Sequence, residues 1–377
     1  MDVLLKNVRA VLEDGAVRDA DILISDGIIA EIGKEFGGPP GAELFDGCGT
    51  LAVPGFIDSH IHGFGGCRAE GGLRELENMA LACAKRGVTA FCPTLGPETN
   101  ETYREIFEEY EKLARTEHGG ARFLGLHLEG PFLNPARKGG FDARKLRRID
   151  RRELEELLES GGGLIRIMTI APELEHAGDA IGMLRERGVS VSVGHTDATY
   201  REAEKAFSLG ADRATHFFNA MRPFHHREPG VRGAAALNPD VFCEMILDLV
   251  HVSAQAARLM VKVKGADRII AVSDGDALSG TGCGDGERGG LVVKKGAIYL
   301  RDGTLYGSML DLSDQFRILV REIGLGIPDA VRLTSTNCAK NLGLRTGVLK
   351  PGFAADLNLL DGDFCVRATF VGGNRVK

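Results

Sequence analysis

LAVPGFIDSHIHG, residues 51–63, runs apolar and β-rich into His60-Ile61-His62. Two histidines two residues apart on a strand-like backbone point the same way. The arrangement recurs along the chain. Glu129 sits in HLEGP with His127 two residues before it, His195 in SVGHTDA, His216 in ATHFFNA and Asp274 in AVSDGDA. Each closes a short apolar or β-branched run. Imidazoles and carboxylates gathered at strand ends suit a hydrolytic metal site. The same residues scattered over helices would mean little.

Outward from this stretch, strand-like and helix-like segments alternate. Strands are predicted over 51–58, 88–94, 122–129, 165–171, 190–195, 211–217, 243–251 and 268–274. Helices are predicted over 73–86, 101–117, 151–159, 177–187, 199–209, 253–264, 308–323 and 328–342. Pro328 suits a first helical turn. Eight such repeats predict an α/β fold with a (β/α)8 barrel over residues 51–346, and a doubly wound sheet is the second choice. A barrel carries its chemistry at the C-terminal ends of its strands, where all the candidate ligands fall. Residues 1–50 and 347–377 read as β-rich with Asp-Gly turns, which predicts one small β-sandwich built from both ends of the chain.

Composition narrows the class. The chain has 377 residues, ordinary apolar content and a net charge of −7. That argues against a nucleic-acid surface while leaving room for a local anion pocket. MDVLLKNVRA carries charges where a signal peptide needs an apolar stretch, and no apolar run is long enough to span a bilayer. The eight cysteines are dispersed with no C-x-x-C pair, as expected of reduced thiols in a cytoplasmic protein. Gly284-Asp285-Gly286-Glu287-Arg288-Gly289 has the form G-x-G-x-x-G, but LVVKKGAIYL after it reads as a hairpin rather than a helix. A connecting loop, a candidate lid, is expected there instead of a dinucleotide site. Neither G-x-x-x-x-G-K-[ST] nor G-x-S-x-G occurs.

His60 and His62 are expected to hold one ion with a carboxylate, and His195 and His216 a second or shared ion. Glu129 can bridge two cations because both carboxylate oxygens carry lone pairs. Zn²⁺ suits these donors, and Fe²⁺, Co²⁺ and Mn²⁺ share the preference. Asp274 can serve as ligand, as proton carrier, or as both. His251 is expected to end the seventh strand and face substrate. His127 is expected behind the ligands, orienting one of them or satisfying backbone. His118 and His176 lie in polar helical sequence and read as solvated. Just past His216, residues 219–230 (NAMRPFHHREPG) hold two arginines and two histidines. Such a loop reads equally as a phosphate site, a solvated basic loop or a subunit contact.

Taken together, PGFIDSHIHG, GLHLEGPFLNPARKGG, VSVGHTDATYREA, THFFNAMRPFHHREPG, DLVHVS, VSDGDALSG, LYGSML and GVLKPGFAADLNLLD resemble the N-acetylglucosamine-6-phosphate deacetylases of the amidohydrolase superfamily. The resemblance implies a barrel with a small β-sandwich, a homodimer, and one or two divalent ions. It implies Glu129 as the bridging carboxylate, His195 and His216 as ligands, and Asp274 as general base and acid. It implies that His60 and His62 allow a second metal to bind. It places Gly140, Asn219, Ala220, Arg227, His251, Tyr306, Gly307 and Ser308 against a phosphorylated amino sugar, with Arg227 reaching across the subunit interface. The implied reaction is deacetylation of N-acetylglucosamine 6-phosphate by a metal-activated water. The alternatives are the N-acetylgalactosamine epimer, another amide substrate, and a non-catalytic sugar-phosphate-binding relative. One departure stands out. The family carries Lys-Gly-x-His after the glutamate motif, its histidine polarising the acetyl carbonyl, where this chain has Lys138-Gly139-Gly140-Phe141.

Overall fold

The computed structural model describes residues 2–116 and 118–377. Eight parallel strands form the barrel: Phe56–Ile61, Val88–Leu95, Leu126–Glu129, Ile165–Ile170, Ser190–Val193, Arg213–Ala214, Phe242–Met245 and Ile269–Ala271. They pair in chain order, with helices between them. The last meets the first through a parallel bridge, Ile61 to Gly275, beside a 2.9 Å hydrogen bond from Asp274 N to the His60 carbonyl. The H-x-H motif and Asp274 therefore lie side by side on the closing seam. Every residue of Val88–Leu95 is buried, as a parallel strand covered on both faces requires.

The expected strand 51–58 is two strands. Leu51–Pro54 pairs with Val3–Val11 and Leu357–Leu360 in an eight-stranded sheet drawn from both ends of the chain. Gly55 makes the junction, where a Cβ would lie 2.0 Å from Thr89 Oγ1. This sheet has its own apolar cluster, including Val3, Leu5, Ile22, Ile24, Leu357, Leu359 and Phe370.

Other boundaries also move. The expected strand 243–251 stops at Met245. Asp248 turns the chain there by accepting from Val250 N and His251 N, so His251 stands on a loop and not at a strand end. The expected helix 308–323 begins at Leu312, because Ser308 ends a strand and the Asp311 side chain caps the helix. The helix expected over 101–117 spans Asn100–Ala114, and Glu117 lies outside the described residues. Residues 280–290 are not wholly a loop: Gly286–Arg288 is the first strand of an antiparallel four-stranded sheet with Leu291–Lys294, Ala297–Leu300 and Leu305–Ser308. Helix Gly230–Leu237 lacked a clear signal, since Gly230 and Gly233 lower its propensity. Among the described residues, no helix is long and apolar enough to cross a membrane.

Candidate metal centre and cavity

Glu129 stands at the centre of the strand ends. Its Oε2 lies 3.2 Å from His60 Nε2 and 3.0 Å from His62 Nε2. Its Oε1 lies 3.0 Å from His195 Nε2 and 2.9 Å from His216 Nε2. Asp274 Oδ1 faces the first pair at 3.3 and 3.5 Å. One carboxylate thus presents one oxygen to each histidine pair. His195, His216 and Asp274 each have positive φ, 47°, 28° and 48°. Left-handed backbone costs about 1–3 kcal/mol at a non-glycine residue and clusters where function holds it.

The tautomers show what the cage would accept. His195 Nδ1 donates to the Arg137 carbonyl at 2.8 Å, and His60 Nδ1 donates to Glu244 Oε2 at 3.1 Å. With Nδ1 carrying the hydrogen, each neutral ring turns an Nε2 lone pair toward a carboxylate oxygen. His195 Nε2 and His216 Nε2 also face each other at 3.0 Å. Lone pairs converging on lone pairs repel unless a cation lies between them. Two carboxylates among neutral imidazoles match a divalent ion in charge and donor type. The same field acts on protons. Without an ion the carboxylates draw a proton instead: burial opposes charge on His60, yet Glu129 and Asp274 raise its pKa to about 10. His62 is raised the same way, against its own burial.

Behind the cage stands a group the sequence reading missed. Glu244, fully buried on the seventh strand, pairs with buried Arg213 at 3.1 Å and holds His60. Burial pushes its carboxyl up, but Arg213 and His60 bring it down to about 2, so it remains an anion. Its only signal in the sequence is a charge inside the apolar run FCEMIL. His127 has both nitrogens engaged, Nδ1 with the Ser59 carbonyl at 3.1 Å and Nε2 with Thr169 Oγ1 at 2.8 Å. Burial pushes its pKa down to about 3, and it stays neutral. It supports the cage rather than joining it. Carboxylates that orient metal-ligating histidines are worth roughly 10- to 100-fold in metal affinity. Glu244→Gln is therefore expected to weaken metal retention by about that factor. Competition with a chromophoric chelator measures it, and unchanged retention would contradict the role.

A cavity of about 300 Å³ opens onto the cage. His62, Glu129, His195, His216 and Asp274 line its floor, with Gly139, Gly140, Phe141, Asn219, Ala220, His251 and Tyr306 around it. Asp248 Oδ2 accepts from His251 Nδ1 at 2.7 Å, which fixes that ring. Three expected substrate contacts do not line the cavity. Gly307 and Ser308 are buried against Asp274, whose carbonyl accepts from Ser308 N at 3.2 Å. They hold Asp274 rather than face a ligand. Arg227 is exposed on its loop, with its guanidinium 3.0 Å from His226 Nε2.

A model described as the amidohydrolase family matches residues 51–376. The chain belongs to the amidohydrolase family. Its match to the N-acetylglucosamine-6-phosphate deacetylase of Bacillus subtilis (strain 168) is 33% identical and covers 99% of this chain and 96% of that protein. The N-acetylgalactosamine-6-phosphate deacetylase of Escherichia coli O157:H7 is 30% identical, with 99% of each chain covered. A solved Mycobacterium smegmatis deacetylase variant, in complex with N-acetyl-D-glucosamine-6-phosphate, superposes with a TM-score of 0.89 at 31% identity, covering 100% of this chain and 99% of that one. The solved deacetylase and this chain share the barrel fold over their whole lengths.

Proposed function

We propose that this chain is a metal-dependent hydrolase that removes the N-acetyl group of N-acetylglucosamine 6-phosphate, giving acetate and glucosamine 6-phosphate. The observation that carries the reading is Glu129 offering one oxygen to each histidine pair, with Asp274 beside the first pair, at the floor of a cavity. Whole-length similarity to deacetylases of phosphorylated amino sugars supports the substrate class.

His60, His62, Glu129, His195, His216 and Asp274 would hold one or two ions, zinc first by donor type, with iron, cobalt or manganese as alternatives. When bound, the ion supplies Lewis acidity and brings the pKa of water toward ~7. Asp274 carries the proton. Burial favours its neutral form, but His60 and His62 hold its carboxyl below the usual range, so it is an anion able to accept. It takes a proton from the attacking water and hands it to the departing amine. Asn219, Ala220 and His251 orient the sugar phosphate. In a homodimer, Arg227 reaches from its exposed loop into the neighbouring protomer's cavity and pairs with the phosphate. We place the enzyme in the cytoplasm, where its free thiols stay reduced.

Acetate release from N-acetylglucosamine 6-phosphate, from the unphosphorylated sugar and from the galactosamine epimer tests the substrate. A charge-assisted contact is worth about 1.5–3 kcal/mol, roughly 10- to 100-fold. Removing the phosphate, or Arg227→Ala with the phosphate present, is expected to lower kcat/KM by that factor. Equal rates with and without phosphate would overturn the phosphate pocket. Preference for the epimer would assign the sugar to galactosamine.

A further inference from the structure

Hydrolysis of an amide builds negative charge on the carbonyl oxygen, and a preorganised donor at that oxygen is worth roughly 10²–10³ in rate. The loop after Glu129 supplies no such side chain, since Phe141 packs its ring 5.1 Å from His195 and 6.2 Å from His62. Neighbouring polar groups of the cavity wall are partly engaged. His251 Nδ1 is held by Asp248, Asn219 Nδ2 donates one hydrogen to the His216 carbonyl at 3.2 Å, and Thr304 N donates to Asp302 Oδ1 at 2.9 Å. Tyr306 also lines the cavity, and its hydroxyl makes no hydrogen bond among the described residues.

Its ring meets the Gly140 loop, and the backbone that follows it meets Asp274 and Gly275. A Cβ on Gly140 would lie 2.4 Å from Tyr306 Cδ2 and 3.0 Å from Cε2, so the ring packs this close to the loop that carries Phe141 only because residue 140 is glycine. On the other side, a Cβ on Gly307 would lie 2.9 Å from the Asp274 carbonyl oxygen, and Ser308 bridges Gly275. The tyrosine thus spans from the Phe141 loop to the backbone of the proton carrier. Burial, with the Asp276 and Glu70 carboxylates nearby, pushes its phenol up to about 12, which keeps it a donor.

We infer that the Tyr306 hydroxyl is a catalytic hydrogen-bond donor to the acetyl carbonyl oxygen, filling the role that Phe141 cannot. The inference rests on the deacetylase reading. As the water oxygen bonds to the acetyl carbon, the carbonyl π pair moves to oxygen, and the phenol stabilises that charge while keeping its proton. The C–N bond then breaks, and the nitrogen takes the proton that Asp274 removed from water.

Tyr306→Phe deletes one oxygen and keeps the ring. With N-acetylglucosamine 6-phosphate, kcat is expected to fall roughly 100-fold with KM within about threefold. Affinity for a tetrahedral phosphonamidate mimic of the acetyl group is expected to fall by a comparable factor, while affinity for glucosamine 6-phosphate holds. A kcat within threefold of wild type would overturn the inference alone. So would equal losses for mimic and product, which mark a packing role. Wild-type silence on the sugar phosphate would overturn the deacetylase reading and this inference together.

Discussion

Asp274→Asn is expected to leave a folded chain whose kcat on N-acetylglucosamine 6-phosphate is lower by roughly 10³. Asparagine has the shape of aspartate, and its amide oxygen can still face His60 and His62, now 3.3 and 3.5 Å from Asp274 Oδ1. Its backbone remains tied by Asp274 N to the His60 carbonyl and by Ser308 N to the Asp274 carbonyl. What disappears is a negative group able to accept a proton from water. General acid-base groups contribute typically 10²–10⁴, and the proposed mechanism gives one residue both half-steps. KM should change little, because the contacts proposed for the sugar phosphate, Asn219, Ala220 and His251, are other residues of the cavity lining. Steady-state kinetics with metal content measured on the same samples separates the two losses. A kcat within tenfold of wild type at full metal loading would remove Asp274 from the proton path.

Glu129→Gln is expected to cost more in metal than in fold. Glutamate offers an oxygen to each histidine pair, whereas glutamine offers one oxygen and one NH₂. Whichever way the amide turns, one pair faces hydrogens instead of a ligand. Removing an outer supporting carboxylate already costs roughly 10- to 100-fold in affinity. Losing the shared carboxylate should cost at least about 100-fold, and activity should follow it down. Metal analysis after dialysis against a chelator, with circular dichroism as the folding control, measures this. Wild-type metal retention by Glu129→Gln would refute the bridging role.

The residues of the cage were legible because two simple rules coincide on them. Alternation along a strand aims His60 and His62 together, and a barrel gathers the ends of its strands at one face. His195, His216 and Asp274 each follow a short apolar run, and the structure turns all three left-handed just past the strand. The reading failed where polarity is hidden or apolarity misleads. Ile246 and Leu247 are buried like strand residues, yet the seventh strand ends before them, so the expected strand ran on to His251. Glu244 and Arg213 are charges inside apolar strands, and only the folded barrel shows that they neutralise each other and fix His60. Arg227 looked close to the metal in sequence, but the loop carries it to the surface. Tyr306 reached the cavity through a hairpin sheet whose first strand had read as a connection.

The measurement that bears most directly on the metal-dependent deacetylase is acetate release by chelator-stripped protein before and after zinc is returned. The expected result is no acetate above background from the stripped protein, and turnover of N-acetylglucosamine 6-phosphate that rises with zinc until the cage is filled. Full turnover by the stripped protein, or silence after verified loading, would contradict it.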